Sequence, residues 1–174
     1  MKRLVNEFRD YARLPAADLK PVDLNVVIGD VMQLYASDHA DQIVRTELDA
    51  AAPLIRGDAQ QLRQIIHNLV QNAQDAQEGV TGGVVMLKTE YARASGSSGR
   101  VRLIVRDNGS GFPERILKRA FEPYVTTKVK GTGLGLAVVK KIADEHGARI
   151  DISNRVTDGV VCGAQVSLSF AVAV

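Results

Sequence analysis

Tryptophan is absent from this 174-residue sequence, cysteine occurs once, at Cys162, and aromatic residues make up only 5% of the chain. A single cysteine cannot form an internal disulfide, so a hydrophobic core must hold the fold, and a reducing, cytosolic compartment is the simpler expectation. No apolar run approaches the roughly 18 residues of a membrane-spanning helix. The first residues also lack the apolar segment of a signal peptide. Any membrane anchor of a longer protein is therefore expected outside this segment.

The charge of the sequence is nearly balanced, with 22 lysine and arginine residues against 20 aspartate and glutamate residues. Nucleic-acid-binding domains usually concentrate basic residues on one surface, and no long basic run is present here. We therefore expect no nucleic-acid partner. The length and a hydrophobic content of 45% suit one domain with its own core and a short appendage.

Apolar periodicity and turn residues divide the chain into helices and strands. Residues 1–14 carry a helical apolar stripe that Pro15 ends, and they are predicted to precede a single domain over residues 15–174. The first half of that domain is predicted to contain a strand over 19–24, a helix from an N-cap at Asn25 to Tyr35, a strand over 42–48 and a long helix between Asp58 and Gly79. Strands over 83–91 and 100–107 are predicted to follow, then helices over 113–120 and 132–146, the second ended by Gly147, and finally strands over 148–153 and 161–172. This order lacks the strict βαβ alternation of a Rossmann fold and favours a two-layer α/β sandwich, with a mixed sheet and helices on one face. Cys162 is predicted to be a small core residue of the last strand.

Two asparagines on the long predicted helix form the first candidate site. Asn68 and Asn72 are four residues apart, so both amides project from one helix face. An amide oxygen is a suitable neutral ligand for Mg²⁺ that keeps water and phosphate oxygens in its shell. An ordinary amphipathic helix with its polar face in water would show the same spacing.

A second cluster, residues 107–113, directly follows a predicted strand. Asp107 can accept a hydrogen bond from an exocyclic amine, and Gly109 and Gly111 allow a ligand to approach the backbone closely. A tight turn is the structural alternative, since Asn-Gly is a common turn pair.

The third and fourth clusters follow one another in the last third of the chain. The segment 121–128 has no clear periodicity, which is typical of a lid, and its Lys128 could reach a terminal phosphate or be one more solvated lysine. Gly131, Gly133 and Gly135 then open a helix, whose N-terminal N–H groups can bind phosphates. The glycine spacing matches neither the Rossmann fingerprint nor the P-loop.

Taken in this order, the four clusters resemble the N, G1, F and G2 boxes of histidine kinase catalytic domains, which share a superfamily with the ATPase domains of gyrase, Hsp90 and MutL. The resemblance covers roughly residues 15–174, and segment 121–136 looks like the nitrogen-regulation sensor kinases of the NtrY type. Segment 5–15 is similar to the end of the second dimerisation helix of those kinases. The resemblance implies a Bergerat-type ATP-binding fold with a mixed, mostly antiparallel sheet.

The resemblance also implies ATP and Mg²⁺ as ligands. Asn72 would coordinate the Mg²⁺, Asn68 would lie near the phosphates, and Asp107 would bind the adenine amino group. The residues with a catalytic role would be Asn68 and Lys128. The nucleotide-binding residues would be Asn68, Asn72, Asp107, Gly109, Gly111, Thr126, Thr127, Lys128, Gly131, Thr132, Gly133, Leu134, Gly135 and Leu136.

Position 68 and the histidines bear on the reaction. Hydrolysing members of the superfamily carry a water-activating glutamate at this position, whereas Asn68 cannot act as a carboxylate base. The resemblance therefore implies a kinase that passes the γ-phosphoryl group to an imidazole. His39, His67 and His146 do not match the family's phosphoacceptor, which is followed by acidic residues and a proline. His67 has either a nucleotide-proximal or a structural role, and His146 is predicted to be partly positive in the last turn of its helix.

The resemblance implies that this chain binds ATP, does not autophosphorylate, and acts with its own dimerisation domain and a cognate response regulator. It would be the cytoplasmic domain of a protein anchored in the bacterial inner membrane. The stripe over residues 1–14 is compatible with weak homodimerisation. The alternatives are a hydrolysing ATPase of the same superfamily, a nucleotide-sensing module without catalysis, and an anti-sigma-factor serine kinase.

Overall fold

A computed structural model describes residues 12, 14–35, 42–77, 79–93, 96, 99–122 and 135–173. In chain order, the elements within these ranges are β1 (Lys20–Val22), α1 (Leu24–Met32), a 3₁₀ turn (Gln33–Tyr35), β2 (Gln42–Glu47), β3 (Ile55–Gly57), α2 (Ala59–Ala76), β4 (Gly83–Ala92), β5 (Arg100–Asp107), α3 (Glu114–Leu117), α4 (Gly135–Glu145), β6 (Arg149–Thr157) and β7 (Val160–Ala171).

Five strands form the main sheet, in the order β2-β4-β5-β7-β6. The β2–β4 pair is parallel, and the other three pairs are antiparallel. The two short strands β1 and β3 pair antiparallel in a separate small sheet. The mixed, mostly antiparallel sheet is therefore confirmed.

The helices cover one face of this sheet. Alternate residues of β4 and β5 are buried against α1, α2 and α4. The intervening positions include charged side chains such as Lys88, Glu90 and Arg102 and one buried residue, Ile104. Lys88 and Arg102 both form ion pairs with Glu90, at 3.8 and 3.5 Å. Such alternation is typical of an antiparallel sheet with one face on the core and one in water. The central helix α2 buries Leu62, Ile65, Ile66, Leu69, Val70 and Ala73. Each of these larger aliphatic side chains stabilises the fold by about 1.5–3 kcal/mol through burial.

The N-terminal end of α2 is held by a carboxylate and a histidine. The Oδ1 atom of Asp58 accepts hydrogen bonds from the backbone N–H groups of Gln60 and Gln61, at 3.0 and 3.2 Å, which confirms Asp58 as the N-cap. The N–H of Asp58 itself donates to Nε2 of the buried His146, at 3.0 Å. With Nε2 accepting this bond, Nδ1 of His146 is the ring nitrogen that can donate to the carbonyl oxygen of Ile142, at 2.9 Å. The predicted partial positive charge on His146 stays a prediction.

The same helix end also fixes the segment that leads into the domain. The Asp58 carboxylate accepts a third backbone bond, from Asp18 at 3.0 Å, and the amide of the buried Gln61 donates to the carbonyl oxygen of Pro15 at 2.8 Å. Burial alone raises the pKa of the Asp58 carboxyl, but the hydrogen bonds from Asp18, Gln61 and Gln60 outweigh it, so the pKa lies below its ordinary value. Residues 14–18 are thus attached to α2 at two points.

The cap of α1 differs from the prediction. Asp23, not Asn25, is the N-cap, because its Oδ1 accepts from the N–H groups of Asn25 and Val26 at 2.9 and 3.4 Å. The side chain of Asn25 has other partners: it donates to the carbonyl oxygen of Asp49 at 2.9 Å and accepts from the hydroxyl of Thr89 at 2.8 Å. Asn25 therefore joins α1 to the sheet.

Several further boundaries differ from those predicted, among them the end of β6, at Thr157 and not at Ser153. The strand β3 was not predicted, and the predicted helix over 113–120 is reduced to the single turn α3. The helix α2 ends at Ala76 with Gln77 as its C-cap, whereas Gly79 lies in the following turn with a φ of 81°. Gly147, with a φ of 62°, follows α4 as predicted.

Cys162 is half-buried and does not belong to the core. It lies at an irregularity in the β6–β7 pair, where Arg155 faces Gly163 but Val156 faces Val161, so no residue of β6 lies opposite Cys162 in the strand register. An extra residue of this kind is a β-bulge, which bends and twists the strand.

Candidate functional site

Asp107 lies at the end of β5, and only 6% of its surface is exposed. Its Oδ1 atom accepts hydrogen bonds from the N–H groups of Gly109, at 2.9 Å, and of Ala164 on β7, at 3.2 Å. A buried carboxylate must be hydrogen-bonded to be tolerated. These two donors therefore determine how the Asp107 side chain is oriented.

Glycines allow close packing on both sides of Asp107. A Cβ atom on Gly109 would lie 2.5 Å from the carbonyl oxygen of Ala76 at the end of α2, and one on Gly163 would clash with the carbonyl oxygen of Asp107. Gly111 has a φ of 77°, which favours glycine. The chain itself thus requires glycine at 109 and 111, and the predicted approach of a ligand there stays a prediction.

Asn108 joins the segment after β5 to the C-terminal end of α2. Its Oδ1 accepts from the N–H of Val84 at 2.8 Å and from the side-chain amide of Gln77 at 2.7 Å, and its Nδ2 donates to the carbonyl oxygen of Gly82 at 3.1 Å. The amide of Gln77, which is 1% exposed, also donates to the carbonyl oxygen of Val84 at 2.6 Å. The helix that carries Asn68 and the segment that carries Asp107 are therefore directly connected.

Two consecutive residues of β6 support the same segment from the other side. Arg155 donates from Nη1 to the carbonyl oxygen of Asp107 at 2.9 Å. Asn154 accepts from the N–H of Phe112 at 2.7 Å and donates to its carbonyl oxygen at 2.8 Å. Segment 107–112 is thus enclosed by α2 and by the β6–β7 hairpin.

The first predicted cluster, on α2, contacts the described part of the fourth cluster, which begins at Gly135. Asn68 and Asn72 lie on α2, both half-buried, and Nδ2 of Asn68 donates to the carbonyl oxygen of Gly135 at 3.3 Å. Leu136 packs against the core beside α2. The fold therefore places Asn68 next to the start of α4, while the predicted role of Asn72 stays a prediction.

His67 lies beside Asn68 on α2 and contacts α1. Its Nδ1 is 2.5 Å from the hydroxyl oxygen of Tyr35, whose pKa burial raises to about 12. His67 and Asn68 both line a groove of about 570 Å³ between α1 and α2, in which Arg63 and Asp30 form an ion pair at 3.4 Å. The two roles predicted for His67, structural and nucleotide-proximal, both stay predictions.

Seven of the predicted nucleotide-binding residues lie outside the described residues. They are Thr126, Thr127, Lys128, Gly131, Thr132, Gly133 and Leu134. Their predicted roles stay predictions, as do the predicted lid over 121–130 and the helix start at 132.

A divalent metal would find few anionic ligands here. The described part of the chain contains no group of three or more histidine, cysteine, aspartate or glutamate residues placed to hold a metal ion. The amide oxygens of Asn68 and Asn72 are neutral ligands that suit Mg²⁺ only when a ligand such as a phosphate supplies the remaining oxygens. The donor set therefore fits a metal that binds together with an anionic ligand.

Several residues that shape this site were not predicted from the sequence: Gln77, Asn108, Asn154, Arg155, Gly163 and Ala164. One signal was available, since a glycine inside a strand often marks a bulge or a close backbone approach, as at Gly163. Nothing in the local pattern distinguishes Asn154 from any other polar residue of an edge strand.

Residues 57–172, which include every part of this site, match the family described as histidine kinase-, DNA gyrase B- and HSP90-like ATPase. The chain belongs to this family. It is 33% identical over 168 residues to an NtrY-like sensor histidine kinase of Rickettsia bellii, which covers 97% of this chain and 27% of the relative. It is 35% identical over 156 residues to the nitrogen regulation protein NtrY of Azorhizobium caulinodans, covering 87% of this chain and 20% of that protein.

Solved structures of histidine kinases have the same fold as this ATPase-family domain. The full-length kinase ShkA in complex with AMPPNP superimposes with a TM-score of 0.79 and 30% identity, over 98% of this chain and 36% of ShkA. The sequence therefore spans about a quarter of the curated relatives it matches and about a third of ShkA. No helix among the described residues is long and apolar enough to cross a membrane.

Proposed function

We propose that this chain is the ATP-binding catalytic domain of a two-component sensor histidine kinase, which transfers the γ-phosphoryl group of ATP to a histidine on a dimerisation domain. The buried, oriented carboxylate of Asp107 is the observation that carries the proposal. With Oδ1 held by Gly109 and Ala164, the carboxylate can accept a hydrogen bond from the exocyclic amine of adenine. It would repel the carbonyl oxygen that guanine has at that position. The site should therefore select ATP over GTP.

The phosphates would lie toward Asn68, Asn72 and the start of α4. Backbone N–H groups at a helix N-terminus bind phosphate oxygens, and Lys128 with segment 131–134 would complete this side of the site. Mg²⁺ would bind with the nucleotide, using the amide oxygen of Asn72, and would neutralise the charge of the triphosphate. The bound AMPPNP in ShkA, which has the same fold, supports this arrangement.

Transfer to a histidine is favoured over hydrolysis because Asn68 cannot deprotonate water. Its Nδ2 donates to the carbonyl oxygen of Gly135, so the amide connects α2 with α4. Phosphoryl transfer depends mainly on positioning and on charge neutralisation, neither of which needs a carboxylate at this position.

The remaining partners belong to a longer protein. Since the chain matches only 20–27% of its NtrY-type relatives, we propose that it works with a dimerisation domain that carries the phosphoacceptor, a membrane anchor and a cognate response regulator. The apolar stripe over residues 1–14 would belong to the dimerisation domain and could give weak homodimers of the isolated chain.

Calorimetric titration of the chain with a non-hydrolysable ATP analogue tests the nucleotide site. Mg²⁺-assisted binding of the analogue, with little or no binding of a GTP analogue, is the expected result. In Asp107→Asn, Oδ1 must still face the two N–H groups, so Nδ2 would point its hydrogens at the adenine amine. We expect affinity for the ATP analogue to fall about 10- to 100-fold, because hydrogen bonds to charged groups contribute about 1.5–3 kcal/mol.

Asp151→Asn serves as the matched control, since Asp151 is exposed on β6 and should leave the affinity unchanged. A folded chain that binds neither nucleotide, or an Asp107→Asn variant that binds ATP analogue as well as the parent, would contradict the adenine site. Steady release of phosphate from ATP by the chain would favour the hydrolysing alternative. ATP binding without phosphohistidine on an added dimerisation domain would favour a module without catalysis.

A further inference from the structure

The segment between β5 and α3 lacks the regular backbone hydrogen bonds of a helix or a strand. Residues 108–113 contain neither helix nor strand, so the backbone groups of Phe112 depend on partners elsewhere. Asn154 supplies both: its Oδ1 accepts from the Phe112 N–H at 2.7 Å, and its Nδ2 donates to the Phe112 carbonyl oxygen at 2.8 Å. One side chain thus binds both backbone polar groups of one loop residue.

The contact continues along the preceding residue. A Cβ atom on Gly111 would lie 2.6 Å from Cγ1 of Val161 and 2.8 Å from Oδ1 of Asn154. The loop therefore presses directly on the β6–β7 hairpin, and only a glycine with its positive φ fits between them. Any change in the Asn154 side chain will be transmitted to Gly111 and from there toward Asp107.

The side chain of Asn154 is not needed for the pairing of its own strand. Its backbone pairs with Ala164 in a regular register, and the bulge begins only after Arg155. The hydrogen bonds that pair the strands use only backbone groups, so the carboxamide of Asn154 is free to bind the loop. The amide is half-buried, where an unmatched donor or acceptor costs about 1–3 kcal/mol.

We propose that Asn154 is a positioning residue of the nucleotide site, which sets the conformation of loop 108–112 and thereby the affinity for the adenine end of the ligand. This inference rests on the proposed function. It adds a residue outside the four sequence clusters, 42 positions away from Phe112 along the chain. Asn154 acts through the loop backbone and does not itself have to contact the nucleotide.

Asn154→Asp is the sharpest test because it preserves the size of the side chain. The acceptor for the Phe112 N–H remains, but an oxygen replaces the donor and faces the Phe112 carbonyl oxygen. We expect affinity for the ATP analogue to fall about tenfold, the effect of losing one hydrogen bond and creating one repulsive contact. Because the effect acts at the adenine end, adenosine should lose affinity by the same factor, measured by calorimetry on the 174-residue chain.

A second readout does not depend on nucleotide. Amide hydrogen exchange at Phe112 should be slow in the parent chain and clearly faster in Asn154→Ala, whereas exchange in α2 should be unchanged. Ser153→Ala, an exposed neighbour on the same strand, is the control and should alter neither exchange nor affinity.

The outcomes separate the two proposals. If the parent chain binds no ATP analogue, the proposed function fails and this inference fails with it. If the parent binds but Asn154→Asp and Asn154→Ala bind equally well while folded, the proposed function stands and the positioning role is wrong. Equal exchange at Phe112 in Asn154→Ala and the parent would also overturn it.

Discussion

The two ends of α2 are held by the same kinds of groups but serve different purposes. At the N-terminal end, Asp58, Gln61 and His146 bind backbone groups that belong to the helix, the entering segment and α4. At the C-terminal end, Gln77 and Asn108 bind each other and the backbone groups of Gly82 and Val84, which attaches the residue after Asp107 to the helix and to β4. Both networks contain side-chain amides, so the presence of amides alone does not distinguish them.

The difference lies in what each network restrains. The N-terminal network joins regular elements that are also held by the core, so its loss should lower stability and leave the site intact. The C-terminal network restrains irregular backbone, which has few other contacts to keep it in place. Its loss should therefore change nucleotide affinity as well as stability. Substitutions at the two ends can establish or refute this division.

The largest effect is expected from Gly163→Ala on β7, beside the irregular backbone that follows Asp107. The new Cβ atom would clash with the carbonyl oxygen of Asp107, a backbone atom that cannot move aside easily. We expect the free energy of unfolding to fall by about 2–4 kcal/mol, from overpacking and backbone strain together, with a loss of nucleotide binding. Urea denaturation and calorimetry would measure both.

Gly29→Ala is the matched glycine control for that experiment. Gly29 lies on the exposed side of α1, and a Cβ atom there would meet no other atom within 4 Å. Because alanine is the better helix former, the variant should gain about 0.5–1 kcal/mol and bind nucleotide normally. A similar response of the two glycine variants would show that the clash at Gly163 is relieved at no cost.

Gln77→Met should have the next largest effect. Methionine has a similar shape but cannot donate to the carbonyl oxygen of Val84 or to Asn108, which leaves two acceptors without this donor. The loss is expected to be about 1–3 kcal/mol in stability, with nucleotide affinity several-fold weaker. Among the described residues nothing donates to Oε1 of Gln77, and removing that buried atom offsets part of the loss.

Gln60→Met provides the comparison at the opposite end of the same helix, where the glutamine is exposed. It should change neither quantity by more than about 0.5 kcal/mol. If Gln77→Met lowers stability without weakening nucleotide binding, the proposed difference between the two helix ends is wrong.

Asp58→Ala should have a smaller effect than Gly163→Ala and Gln77→Met, about 1 kcal/mol from the lost N-cap, with unchanged nucleotide affinity. The effect should depend on pH. Since the pKa of Asp58 is lower in the folded chain, its stabilising contribution is complete above the unfolded-state pKa of about 3.9 and is lost as the pH falls through the folded-state pKa.

Asp58→Asn removes the titrating group but keeps a capping side chain. Its free energy of unfolding should lie below that of the parent near neutral pH and approach the parent value in acid, as followed by urea denaturation across pH. Parallel curves for parent and variant would show that Asp58 has the same pKa in both states.

Much of the architecture could be predicted from the sequence because strong local signals specify it. Local patterns are enough to recognise α2, from its apolar periodicity and its cap at Asp58, and the strands β4 and β5, from their alternation. The strand β3 could not be found, since three residues are too few to show a period and its partner β1 lies more than thirty residues earlier in the chain. The cap of α1 was misassigned because Asp23 and Asn25 are equally good capping residues, and only the contacts of Asn25 with Asp49 and Thr89 decide between them.

The sequence by itself determined which residue types stand at the candidate site. The order of the four clusters, the amide at position 68 and the carboxylate at 107 are all readable without coordinates, because local spacing and motif chemistry specify them. Only the tertiary structure decided what holds them: the bond between His146 and the capping residue Asp58, the bond between Gln77 and Asn108, and the two bonds between Asn154 and Phe112. These contacts join residues 31 to 88 positions apart, and no local pattern encodes which distant group a polar side chain will meet once the core has brought them together.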